Sequence, residues 1–113
     1  MRTLLVAAGL VALGLASAEA QAPPGAPDGA QLYTRNCVSC HGATGVPNAT
    51  MVRSLGAIPD LSDPRTLASV PDSAIANAII NGKGRAMRAP RTPYTPEQVR
   101  ALVAHVRTLS RRP

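Results

Sequence analysis

Apolar residues recur at three- and four-residue steps in three stretches of this chain, each flanked by residues that start or stop helices. The last is the clearest. Thr95-Pro96-Glu97-Gln98 offers an N-cap, a proline at the first helical position and a capping-box glutamine. Val99, Leu102, Val103, Val106 and Leu109 then form one apolar stripe, and Arg107, Arg111 and Arg112 sit at the C-terminal end, where positive charge suits the helix dipole. A middle helix is predicted from Asp72 to Asn81, with Ile75, Ala78 and Ile79 facing inward and Gly82 as its C-cap. The first runs from an N-cap at Asp28 to about Cys37, with Ala30, Tyr33 and Cys37 on one side. A long loop is expected from Gly42 to Leu61, followed by a single turn started at Asp63-Pro64. No segment alternates with period two for long enough to suggest a strand. The pattern is all-α: three main helices joined by long Pro- and Gly-rich loops.

The first 20 residues follow a different pattern. Met1-Arg2 is positive, Thr3 to Ala18 is uncharged and rich in Leu, Ala, Val and Gly, and Ala18-Glu19-Ala20 supplies small residues for a signal peptidase. This reads as a secretory signal peptide cut between Ala20 and Gln21. A spanning helix needs about 20 apolar residues. The solid apolar stretch here, Leu4 to Ala16, is shorter, and Pro23-Pro24 stops any continuation. No cysteine lies near the cut to take a lipid. Neither a membrane anchor nor a lipid anchor is therefore expected. The organisation is residues 1–20 signal peptide, 21–27 flexible or polyproline-like lead-in, and 28–113 one domain, periplasmic or otherwise exported.

Composition raises a problem for that domain. It has no Phe or Trp and only two Tyr among 113 residues, so the large fillers of an ordinary core are missing. Domains this small struggle to bury enough apolar surface unaided. A Cys37–Cys40 disulfide closes too short a loop to help much. A large flat tetrapyrrole would supply far more volume.

Cys37-Val38-Ser39-Cys40-His41 makes that candidate specific. Two thiols three residues apart on a helical turn can both reach the vinyl groups along one side of a haem, and the following imidazole is carried under the ring to the iron. One covalent haem c is the reading, attached through Cys37 and Cys40 with His41 as an iron ligand. Covalent attachment calls on a cytochrome c maturation machinery. Other readings of the motif fit less well. A thioredoxin-like pair wants a strand before it and a βαβ context. A zinc site wants about four ligands, and outside the motif the only Cys or His is His105. A plain disulfide suits an exported protein but leaves His41 without a role.

For the second axial position the candidates are Met87, Met51 and His105, with no protein ligand as the remaining alternative. Met87 is preferred: it follows the middle helix in a loop that Gly82-Lys83-Gly84 frees to approach the ring. Met51 lies ten residues past His41, nearer the proximal side, and reads as a packing residue. His105 lies at the edge of the last helix's stripe. The carbonyl of Pro59, or of Pro47, is a candidate acceptor for the other ring nitrogen of His41.

These residues resemble the small monohaem class I c-type cytochromes of bacteria over about Asp28 to Leu109. The likeness runs through Gly29 and Tyr33, Cys-Val-Ser-Cys-His-Gly, Pro59-Asp60-Leu61, Ile79-Ile80-Asn81-Gly82-Lys83-Gly84 and the segment from Leu102 to Leu109. The resemblance implies a cytochrome c-like domain wrapped round one haem, with its first and last helices crossing near Gly29 and Tyr33. It also implies His and Met as axial ligands, the methionine being Met87. The family usually shows Met followed by Pro, whereas Arg88 follows here, and the loop carries one extra residue at Arg85-Ala86. Where this chain has His105 the family commonly has an aromatic, which makes His105 a helix-crossing residue.

Charge adds a partner class. The net charge is +6, and it survives loss of the signal, which removes Arg2 and Glu19 together. Such a surface attracts acidic partners and speeds transient encounters. Lys83, Arg85, Arg88 and Arg91 cluster around the Met87 loop, so a redox partner with an acidic docking surface is expected. Nucleic acid is excluded by the near absence of stacking aromatics and by export. Catalysis in its own right has no second acid–base constellation to support it, so the chain reads as an electron carrier, not an enzyme. Two function classes stay open. One is a periplasmic electron shuttle cycling between ferric and ferrous iron. The other is a haem subunit docked to a dehydrogenase or oxidase, or a gas-binding sensor.

Overall fold

The protein is described by a computed structural model over residues 23–110; the signal peptide expected over residues 1–20 lies outside these residues. Helix α1, Gly29–Asn36, starts where Asp28 accepts from the backbone N–H of Ala30 (2.9 Å) and Gln31 (3.2 Å). One turn, α2, spans Val38–His41. Helix α4, Asp72–Asn81, ends at Gly82. The longest helix, α5, Pro96–Leu109, opens on the full capping box, with Thr95 and Gln98 each accepting from the other's backbone N–H.

A helix and a two-stranded hairpin depart from the expected pattern. The 42–61 stretch is not all loop: α3 occupies Ala49–Leu55, capped by Asn48, whose side chain accepts from Thr50 and Met51 N–H. Gly82–Lys83 (β1) and Met87–Arg88 (β2) pair antiparallel, Gly82 opposite Arg88 and Lys83 opposite Met87. With two residues per strand, no alternation could have announced them.

The core is built on α1, α4 and α5. Tyr33, Leu61, Ile75, Val99, Leu102, Val103, Val106 and Leu109 are buried together, and every expected residue of the α5 stripe is among them. Helices α1 and α5 cross with backbones nearly touching. A Cβ placed on Gly29 would lie 2.1 Å from the carbonyl oxygen of Ala101. Beside this crossing the Tyr33 and His105 rings meet at 4.9 Å between centroids. Arg107 ties the end of α5 to the segment before α4, donating to Asp72 Oδ1 (2.8 Å) and to the carbonyls of Leu67 (2.9 Å) and Val70. That segment begins with the turn set at Asp63, where Thr66 N–H donates to the Asp63 carbonyl at 3.0 Å.

Candidate functional site

The short helix α2 hangs from the end of α1. Cys37 N–H donates to the Tyr33 carbonyl at 2.8 Å, and His41 N–H to the Cys37 carbonyl at 2.9 Å, so the motif continues the helical path after a kink at Cys37. Its far end is also held. The buried Tyr33 hydroxyl donates to the carbonyl of Gly42, the residue after His41, at 2.8 Å. Cys40 C=O accepts from Asn48 N–H at 3.0 Å, which places α3 against the same turn. One helix, its aromatic and the next helix's cap thus fix the backbone on both sides of the two thiols and the imidazole.

Cys37, Cys40 and His41 line one cavity of about 930 Å³, and Met87 lines it too. The remaining walls come from Leu55 at the end of α3, the Ala57–Pro59 loop, Ile79 of α4 and the strap that carries Tyr94. Ligand clefts run to roughly 1,000 Å³, so the space suits a large cofactor. The walls are mainly apolar, but Lys83, Arg88 and Arg91 add three cations and no carboxylate opposes them.

Burial governs the site's acid–base chemistry. It pushes the Cys37 thiol up to about 11, with the neighbouring Cys40 adding to the effect. It lowers the pKa of His41, which favours the neutral imidazole that can donate a lone pair. Nδ1 of His41 is buried and has no hydrogen-bond partner among the described residues. The expected carbonyl acceptor is therefore not found: Pro59 lines the cavity, but neither it nor Pro47 accepts from Nδ1. With Nδ1 sealed away, Nε2 is the nitrogen that can meet a ligand. Two free thiols, a partly buried histidine and a thioether around one large, mainly apolar space form a donor set that fits covalent haem.

The other sequence candidates lie elsewhere. Met51 sits on α3 and does not line the cavity, and His105 sits against Tyr33 on α5. Sequence reasoning missed Tyr94 and Gln98 as wall residues. Tyr94 is partly buried against the core, and burial raises its pKa, with Cys37 as a second cause.

Comparison with known proteins supplies the family. Residues 24–106 match the family described as cytochrome c oxidase, cbb3-type, subunit III. The chain is similar to the cbb3-type cytochrome c oxidase subunit FixP of Azorhizobium caulinodans, 34% identical over 86 residues, which cover 76% of this chain and 28% of that protein. The chain thus spans little more than a quarter of that relative's length. Among solved structures it is similar to the KustC0563 c-type cytochrome, with a TM-score of 0.66 and 35% identity over 74% of this chain and 98% of that one. By this match the chain belongs to the cbb3-type subunit III family, and it is a small class I c-type cytochrome with one covalent haem c whose work is electron transfer.

Proposed function

We propose that the domain from Asp28 onward is an exported electron carrier in which Cys37 and Cys40 hold the haem edge as thioethers. His41, through Nε2, and Met87, through its sulfur, would hold the iron. When bound, haem c supplies a one-electron ferric–ferrous couple, and a thioether opposite an imidazole raises its potential. The carrying observation is that all four side chains line a single cavity although Met87 comes from a separate loop. Leu55, Ile58, Ile79 and Tyr94 give that space apolar walls, and the Tyr33–Gly42 hydrogen bond fixes the turn that ends in His41. With His41 and Met87 both holding the iron, no position would stay open to a small gas, which separates this reading from a gas sensor.

The exposed cations Lys83, Arg85, Arg88 and Arg91 ring the Met87 side and suit an acidic patch on the redox partner. A signal peptide over residues 1–20 carries the chain out of the cytoplasm, where the maturation machinery attaches the cofactor. The likeness to FixP supports a second reading, a domain held within an oxidase rather than a free shuttle. Co-purification with an oxidase from detergent-treated membranes supports the second; recovery in the soluble exported fraction supports the first.

Optical spectra test the ligand set. The ferric protein is expected to show a sulfur-to-iron charge-transfer band, and the ferrous protein not to bind carbon monoxide. Met87→Ala loses the band and gains carbon monoxide binding with haem still attached. A retained band in that variant refutes the assignment.

A further inference from the structure

We infer that Gly82 is the positioning residue for Met87, because its missing side chain lets the Met87–Ala89 backbone lie directly on it and so sets the thioether over the cavity. A Cβ on Gly82 would fall 2.3 Å from the Met87 carbonyl oxygen, 2.7 Å from Ala89 N and 2.8 Å from Arg88 C. All three atoms are backbone, so no side-chain rotation relieves the clash. The contact is part of the β1–β2 pairing, in which Gly82 faces Arg88 and Lys83 faces Met87. Any side chain at 82 must separate the two strands, and Met87 moves with its strand. The loop has no proline directly after Met87 to stiffen it, since Arg88 and Ala89 precede Pro90. The hairpin is the local device that fixes its course.

Gly84 provides an internal control. Gly82 and Gly84 both have positive φ, +74° and +65°, which L side chains rarely adopt. A Cβ on Gly84, however, meets nothing within 4 Å. Gly84→Ala therefore introduces backbone strain alone, whereas Gly82→Ala introduces strain and the clash with the Met87 strand.

This inference rests on Met87 as the axial ligand. Wild type, Met87→Ala, Gly82→Ala and Gly84→Ala are prepared as holoproteins and compared by ferric spectrum, reduction potential and imidazole binding to the ferric form. Gly82→Ala is expected to keep its haem, lose the sulfur-to-iron band, fall in potential as Met87→Ala does, and bind imidazole about tenfold or more tightly, as follows when no pre-positioned thioether competes. Gly84→Ala keeps the band. A Gly82→Ala protein that retains the band and potential overturns the inference, as does equal loss of the band in Gly84→Ala. A wild type without the band overturns the Met87 reading instead. A second measurement needs no variant. In the wild type, the imidazole-binding rate at saturating imidazole should equal the opening rate of the hairpin, read from amide exchange at Met87 and Arg88 under conditions where every opening leads to exchange. A limiting rate unrelated to that opening also overturns the inference.

Discussion

Tyr33 shows how one side chain can serve both core and site. Its ring is 2% exposed and fills the α1–α5 crossing, while its hydroxyl holds Gly42, next to His41. Tyr33→Phe keeps the filler and removes the hydrogen bond, leaving the Gly42 carbonyl with the weaker Gly45 N–H contact at 3.3 Å, at a cost of about 0.5–1.5 kcal/mol. Burial, with a smaller effect from Cys37, lifts the phenol from 10.0 to about 12. A raised pKa means that folding favours the protonated form. The contribution is therefore complete below pH 10 and is lost as pH rises through about 12. Denaturant midpoints measured across that window should fall for the wild type and fall less for Tyr33→Phe. Equal slopes would remove Tyr33 as the group responsible.

At the scale of elements, the tightest requirement is the crossing of α1 and α5. Alanine is favoured over glycine inside a helix by about 1 kcal/mol. At Gly29 the added methyl meets the Ala101 carbonyl at 2.1 Å, and overpacking costs typically 1–3 kcal/mol. The clash wins: Gly29 opens α1, where the propensity gain is smaller than in a helix interior, and Gly29→Ala is expected to lower stability by up to about 2 kcal/mol net, seen as a lower denaturant midpoint at an unchanged slope. A stabilised variant would show that the helices can separate freely. The sequence made α1, α4 and α5 legible because each couples a start signal to an apolar stripe and a stop signal. Helix α3 was not, since Ala49–Leu55 holds under two turns between Pro47 and Gly56 and reads as loop. The site divides the same way. Cys37, Cys40 and His41 are adjacent in sequence and need only local geometry to meet. Met87, Tyr94 and Leu55 reach the cavity from separate segments, and local spacing does not specify which loops converge.

The whole molecule depends on a filler from outside the chain. Eight residues form the buried core among the described residues, Tyr33 is its sole aromatic, and a cavity of about 930 Å³ lies beside it. Cys37→Ala with Cys40→Ala, which prevents attachment, should leave a polypeptide with little cooperative unfolding by circular dichroism. Sharp unfolding in that variant would mean that the helices suffice alone. The charge distribution sets the encounter with partners. Lys83, Arg85, Arg88 and Arg91 are all exposed, and screening shortens from about 10 Å at 0.1 M salt to about 3 Å at 1 M. Electron-transfer rates with an acidic partner should fall steeply over that range; rates indifferent to salt would assign these residues no docking role. His41 and Met87, meanwhile, lie on opposite sides of α3 and α4 in the sequence but on one cavity in space. Under the proposed ligation, bonds from both to a common atom would tether the two ends of that span, much as a staple shuts a long ring of chain, and the gain from such closure grows with the length enclosed. A change in the strength of the sulfur bond would then be felt by every residue in between, so the molecule's resistance to unfolding is expected to follow its oxidation state.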